Sequence, residues 1–285
     1  QDGTKYDIYK DGLKVYTTID SKLQKYAERA VVKHLRTDLQ NEFYKVNKRS
    51  KNKPFSNNMN DEQIDLVMSR AIKISDRYRS QKADGMSDKK NLASFQEPVS
   101  MQIFSWEGDI DTVMTPYDSI KYHKGIIQAS LMSMDPTTGF VKAWVGGPDF
   151  ERFSYDHVTS TRQVGSTIKP FVYATAISLM GISPCQQYDD IQYTIAPGDA
   201  NFLVDKEWSP GNANEKFTGN PYNLYQGLLY SKNSITVRLV KEMGNVDVIR
   251  EMLDAAGIEK DQTYHDGRLV IPRVPAICLG AVDLT

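Results

Sequence analysis

In the stretch TRQVGSTIKPFVYATAI, Thr161 to Ile177, a glycine precedes Ser166, and Lys169 follows the serine at i+3. On a helix those two side chains share a face, about one side chain apart. Ser166 would open the helix, where free N–H groups and the dipole favour developing negative charge. Lys169, held in an apolar helix, would lose solvation, which lowers an ammonium pKa and lets the amine accept a proton. A hydroxyl beside such an amine is a Ser–Lys nucleophile pair. Pro170 is tolerated there because it falls in the first turn, where a missing N–H costs little. A plainer reading uses the same residues, with Ser166 as an N-cap and Lys169 as a surface side chain. Spacing alone does not choose, because Ser-x-x-Lys also occurs at Ser50/Lys53 and Ser87/Lys90, in polar loop sequence.

A second cluster lies in YNLYQGLLYSKNSITVRLVKEMG, residues 222–244. Leu224, Gly227 and Leu228 give one helical face, and Ile235, Val237, Leu239 and Val240 another. Ser231 and Asn233, two apart, interrupt the pattern and favour a turn. Such a turn can project a hydroxyl and an amide into a site, or it can cap the flanking helices. His157 and Asp156 are adjacent in a loop, which suits an ordinary loop pair better than a Ser-His-Asp arrangement, and no GxSxG elbow is present.

The elements that must position these groups follow from periodicity. KVYTTID (14–20) alternates and predicts a strand. Asp20 predicts an N-cap for a helix beginning at Ser21, with Leu23, Tyr26, Ala27, Ala30, Val31 and Leu35 on its apolar face. Residues 47–60 turn to Lys, Asn, Ser and Pro and predict a loop. A helix is expected over 61–80, a polar break over 81–91, and short strands around a Glu-Gly-Asp turn over 101–116. IIQASLMSMDPTTGFVKAWVGG, from Ile126, predicts a hairpin turning at DPTTG. From Ser166 to Met180 apolar residues wrap most of the way round, which predicts a buried central helix stopped by Gly181.

The 285 residues carry a formal net charge of -1, so no global field favours nucleic acid or a membrane surface. No apolar run approaches the roughly 20 residues that cross a bilayer. The chain opens on QDGTKYDIYKDG and stops at GAVDLT, which reads as a piece of a longer chain. Cys185 and Cys278 are far apart and read either as one disulfide or as two thiols. The four His are scattered, without metal-ligand spacing.

RQVGSTIKPFVYATAI, followed by WSPGNANEKFTGNPYNLYQGLLYSKNSITVRLVKEMG, resembles the transpeptidase domain of class A penicillin-binding proteins. Ser-x-x-Lys with a later Ser-x-Asn belongs to that family's signature, here STIK and SKN. GLKVYTTIDSKLQKYAE resembles the family's linker between its two enzymatic domains. SMDPTTGFVKAWVGG is similar to the opening hairpin of its transpeptidase sheet, and VPAICLGAVDLT to the stretch before its later strands. The match is patchy over 12–45 and good over 126–285.

The resemblance implies an α+β fold of the serine-transpeptidase, β-lactamase-like kind, an antiparallel sheet with helices on both faces, truncated at its end. It implies a linker over 1–46, an accessory or inserted region over 47–125 and an incomplete transpeptidase domain over 126–285. It also implies a D,D-transpeptidase of peptidoglycan. Ser166 would attack a D-Ala-D-Ala stem peptide, Lys169 would be the general base, Ser231 would relay protons and Asn233 would hold the substrate amide. β-Lactams would acylate Ser166. Other cell-wall synthesis proteins are expected partners. The parent is expected to be membrane-anchored, with these residues on the extracytoplasmic, periplasmic side. No cofactor is implied, since acyl transfer by a Ser–Lys pair needs no metal. A D,D-carboxypeptidase or β-lactamase-like hydrolase, and a non-catalytic β-lactam sensor or scaffold, are the alternatives. The sequence departs from the pattern in one place: neither Lys-Thr-Gly nor Lys-Ser-Gly occurs. In the family that motif binds the terminal carboxylate and supplies an oxyanion-hole donor. Losing one such donor typically costs about a hundredfold or more in rate.

Overall fold

A computed structural model describes Tyr6, Asp7 and residues 9–285. The chain divides into two compact units, Gln1–Thr159 and Ser160–Thr285.

In the first unit Asp20 caps α1 (Ser21–His34), its carboxylate accepting from the backbone N–H groups of Lys22 and Leu23. Ala27, Val31 and Leu35 form the buried stripe, but Leu23, Tyr26 and Ala30 face solvent, so the apolar face is narrower than periodicity predicts. A π-helical turn, Leu35–Leu39, joins α1 to α2 (Gln40–Asn47). The wide turn advances the stripe by five residues instead of four. Leu39 is left 41% exposed and Gln40 is turned inward at 1%.

Residues 14–20, expected as a strand, belong to no helix or strand. Among the described residues two hydrogen bonds attach the segment to the neighbouring hairpin, from Thr18 Oγ1 to the Val141 carbonyl and from the Asp20 N–H to that of Lys142. That hairpin, β3 (Leu131–Met134) and β4 (Val141–Val145), turns at Asp135, whose carboxylate accepts from the N–H groups of Thr137 and Thr138. Ala143 and Val145 pack on the α1 stripe.

The helix expected over 61–80 is two helices, α3 (Asp61–Ile74) and α4 (Asp76–Ala83). Ser75 takes an extended conformation and its hydroxyl accepts from the Tyr78 N–H, so one helix stops and a new one is capped. The end of the polar break opens α5 (Asp88–Ser94), which periodicity missed. β1 (Val99–Ile103) and β2 (Ile110–Met114) pair antiparallel as expected. After them Thr115 and Pro116 start α6 (Pro116–Lys124), also missed, because its sequence has little apolar periodicity.

The second unit is built round α7 (Lys169–Ser178), preceded by a 3₁₀ turn, Gly165–Ile168. Val172 and Ala176 pack with Ile235 and Leu239 of α9 (Asn233–Met243), Ile249 of α10 (Asp247–Ala255) and Ile277 of a second 3₁₀ turn, Pro275–Leu279. α7 is not buried all round: Ala174, Ile177 and Leu179 are exposed. Gly181, at φ +66°, ends the segment as expected. Short strands complete the unit: β5 (Arg162–Gln163) pairs with β8 (Asp283–Leu284), and β6 (Gln187–Asp189) with β7 (Pro221–Asn223). The fold is α+β, and among the described residues its strands form four separate two-stranded antiparallel pairs rather than one sheet. Cys278 is a buried free thiol and Cys185 an exposed one. Among the described residues no helix is long and apolar enough to cross a membrane.

Candidate active site

Ser166 stands in the 3₁₀ turn and is exposed. Its carbonyl accepts from the Lys169 N–H, so nucleophile candidate and amine are tied one tight turn apart. Ser166 is not a helix cap: Val164 stands at the N-cap of the 3₁₀ turn and Ile168 at that of α7. Lys169 is no surface residue: it is 1% exposed. Its Nζ donates to the Ser231 carbonyl at 2.7 Å, to Ser231 Oγ at 3.0 Å and to Asn233 Oδ1 at 2.7 Å. Burial lowers the Lys169 pKa to about 8, against a small opposing effect of the Cys278 thiol. Three of the four residues singled out by sequence are thus bonded together around one amine, with the fourth a turn away.

The turn carrying Ser231 and Asn233 is shaped by how α8 (Leu224–Leu229) ends. The Lys232 N–H donates to the Gly227 carbonyl at 2.8 Å, and the Ser231 N–H to that of Leu228 at 3.0 Å. This pair of bonds is the Schellman ending, whose left-handed position glycine normally fills. Here Ser231 fills it, at φ +51°. A side chain there costs about 1–2 kcal/mol. Glycine would remove that cost and with it the hydroxyl that meets Lys169. Ser231 and Asn233 do not cap helices: Asn223 caps α8, and the N-cap of α9, Lys232, makes no side-chain cap bond.

The turn is held from behind by groups that sequence reasoning missed. Asp190, fully buried, receives five hydrogen bonds through its carboxylate. Lys232 Nζ reaches Oδ2 at 2.7 Å, with the Thr218 N–H and hydroxyl at 3.1 and 3.0 Å. Asn212 Nδ2 and Ser234 Oγ reach Oδ1 at 2.8 and 2.6 Å. Burial alone would raise this carboxyl, but the bonds from Lys232, Ser234, Asn212 and Thr218 prevail and hold it well below the usual carboxylate range. Asn212 Oδ1 also accepts from the N–H groups of Asn233 and Ser234, and Asn233 Nδ2 donates to the Gly211 carbonyl at 2.8 Å. The amide of Asn233 is therefore fixed from both ends. The phrase WSPGN contained this support, but nothing in it linked Asn212 to Asp190.

Ser166 has its own backing. The Gly165 N–H donates to the Gly280 carbonyl at 3.2 Å, and a side chain on Gly280 would meet the Gly165 carbonyl oxygen at 2.0 Å. Gly280 also holds φ +81°. Replacing Gly280 with alanine is expected to destabilise the 160–285 unit by about 2–5 kcal/mol through overpacking and left-handed strain. Urea unfolding followed by near-UV circular dichroism measures it.

Asp156 accepts from Trp144 Nε1 and the Val158 N–H, both at 2.8 Å, and the His157 ring lies edge-on to Tyr155. Ser50 and Ser87, of the other Ser-x-x-Lys spacings, serve a loop and the start of α5: Ser50 Oγ donates to Asn57, and Ser87 precedes the helix.

The sequence profile of the penicillin-binding protein middle domain matches residues 50–127, and that of the penicillin-binding protein transpeptidase domain matches residues 129–268. Penicillin-binding protein 1A of Vibrio cholerae is 28% identical over 97% of this chain and 36% of its own length. Penicillin-binding protein 1A of Escherichia coli is 35% identical over 51% of this chain and 16% of its own. The chain thus spans about a third of the Vibrio relative. Among solved structures, Penicillin-Binding Protein 1A from Haemophilus influenzae superposes with a TM-score of 0.54 at 22% identity, over 95% of this chain and 40% of that one, a likeness of fold.

Proposed function

Because this chain belongs to the penicillin-binding proteins, we propose that it is the middle and transpeptidase part of a bifunctional cell-wall synthase, and that Ser166, Lys169, Ser231 and Asn233 carry peptidoglycan D,D-transpeptidation. Its divisions are a linker over 1–46, an accessory region over 47–125 and the transpeptidase region from 126. The synthase works on the extracytoplasmic face of the membrane that anchors it.

Ser166 Oγ attacks the carbonyl carbon of the penultimate D-Ala. Its proton passes to Lys169 Nζ, and the C–N bond to the terminal D-Ala breaks. Ser231 hands its proton to the leaving amine and takes in its place the one that Lys169 Nζ received from Ser166, across their hydrogen bond. An amine of a neighbouring stem peptide then attacks the ester, loses its proton by the same route and frees Ser166. Asn233 holds the peptide amide. A β-lactam enters the first step only, its ring C–N bond opening to leave an ester on Ser166.

The observation that carries this reading is the buried Lys169 amine, bonded to both Ser231 and Asn233 one turn from Ser166. As an ammonium, Lys169 spends its three N–H groups on those acceptors. Loss of one proton leaves a lone pair free to turn toward Ser166. With a pKa of about 8, about a tenth of the amine is neutral at pH 7.

The sign of the pH dependence follows. The base is the neutral amine, so the second-order rate of acylation by benzylpenicillin should rise about tenfold per pH unit below pH 8 and level off above it. Stopped-flow acylation of the full-length synthase between pH 5.5 and 9.5 tests this. A flat profile, or a rate that falls as pH rises, would remove Lys169 from the role of base.

A further inference from the structure

The first unit carries a cleft of about 580 Å³ between α2 and α6. That volume lies within the ~300–1,000 Å³ range of ligand pockets. Phe43 and Tyr44 of α2, Tyr122 of α6 and Pro54 of the following loop give it apolar walls. Lys48, Lys53 and Lys121 also line it, and none of the three forms an ion pair with a carboxylate among the described residues. Asp118 is the carboxylate on the same wall, and its Oδ2 accepts from Thr115 Oγ1 at 2.7 Å at the start of α6.

The walls are built rather than incidental. Gln40 donates to the Gly125 carbonyl at 2.8 Å and accepts from the Ile127 N–H at 2.9 Å and from Trp106 Nε1 at 3.2 Å. The end of α6 is thereby fastened to the start of α2. A side chain on Gly125 would meet the Tyr122 carbonyl oxygen at 3.1 Å and Pro54 Cβ at 3.4 Å, so the glycine lets the loop close one end.

Positive charge continues beyond the cleft. Lys45, Lys48, Arg49, Lys51 and Lys53 follow one another with no acidic residue between Glu42 and Asp61. Among the described residues only Lys45 of the row is paired, with Glu42. A small organic anion would use the cleft but not this row. A membrane surface would use the row but not a concave apolar pocket. We propose that the cleft binds an acidic peptide segment of a partner protein, which sets one apolar side chain between Tyr44 and Tyr122 and its carboxylates on Lys48, Lys53, Lys121 and the basic row. Apolar burial supplies affinity, and charge supplies orientation and rate of encounter.

The test is fluorescence anisotropy of the full-length protein with a fluorescein-labelled peptide of Glu and Asp around one central Phe. Saturable binding is expected. It should weaken about tenfold or more in Lys48→Glu/Lys121→Glu and severalfold in Tyr44→Ala, or when Ser replaces the peptide's Phe. These side chains lie at the surface, and an unchanged melting transition verifies folding. In parallel, bound peptide should shield Lys48, Lys53 and Lys121 from acetic anhydride while Lys89 reacts as before. Absence of saturable binding overturns the proposal. So does binding indifferent to the charge reversals or to loss of the Phe. Phosphatidylglycerol vesicles that shield the three lysines where the peptide does not would overturn it in favour of a membrane-facing surface.

Discussion

Replacing Lys169 with arginine should slow acylation of Ser166 by penicillin about 10²–10⁴-fold, the range a positioned general base contributes. Arginine keeps the positive charge and can still donate to the Ser231 carbonyl, Ser231 Oγ and Asn233 Oδ1, the three acceptors that Lys169 uses. It does not deprotonate in proteins, so the lone pair that would take the serine proton never forms. The substitution therefore separates charge from basicity. The site is tightly enclosed, and the larger head is expected to cost about 1–3 kcal/mol in packing. Lys169→Met, which removes charge and basicity together without added bulk, should be as slow in acylation. An arginine variant within about threefold of wild type would mean that the charge of Lys169 matters and its proton transfer does not.

Substituting Asp190 with asparagine should act on both stability and rate. The carboxylate takes donors on both oxygens. An amide keeps one acceptor and turns its NH₂ group against either Lys232 and Thr218 or Asn212 and Ser234. Lys232, whose side chain is 12% exposed, would lose its counter-charge. Breaking one partner of a buried pair costs about 3–5 kcal/mol. Because the pKa of Asp190 is lowered, its stabilisation is present above about pH 4 and is lost as pH falls below that. The loss in the variant is therefore full at neutral pH. Lys232 lies between Ser231 and Asn233 in the chain, so relaxing its side chain moves both. A displacement of about 1 Å in a catalytic group can cost about 10²-fold in rate. Acylation is expected to fall by that order while its pH midpoint stays with Lys169. Adding Lys232→Met should restore much of the stability, a non-additive result that marks the pair. Acylation unchanged in Asp190→Asn would leave the network a matter of folding only.

The four candidate residues stand out in the sequence because their types and spacing are local. Ser166 and Lys169 share one turn, and Ser231 and Asn233 share another. Their supports could not be found that way. Asp190 gathers donors from Asn212, Thr218, Lys232 and Ser234, and no periodicity relates those positions. Gly280 shields Gly165 by a close backbone approach that leaves no mark in composition. At the level of elements, periodicity found α1, and the turn residues between the strands found the two hairpins. It missed the break at Ser75, where a hydroxyl cap outweighs an unbroken apolar pattern. It also missed α5 and α6, short polar helices set by their ends rather than by a face. The π turn defeated it in detail, since one extra residue exchanged Leu39 for Gln40 at the buried position. Residues 14–20 have the composition of a strand but lack the second row of backbone partners that would make one.

Intact-mass analysis of the full-length protein after brief exposure to benzylpenicillin bears most directly on the central claim, that the Ser166 hydroxyl, one turn from the buried Lys169 amine, is the nucleophile. The expected result is a persistent gain of one penicilloyl mass, mapped by digestion to the peptide containing Ser166 and absent from Ser166→Ala. An adduct that decays within seconds would point to a hydrolase instead. A folded wild-type protein that gains no mass, or an Ser166→Ala variant that gains it equally, would contradict the account.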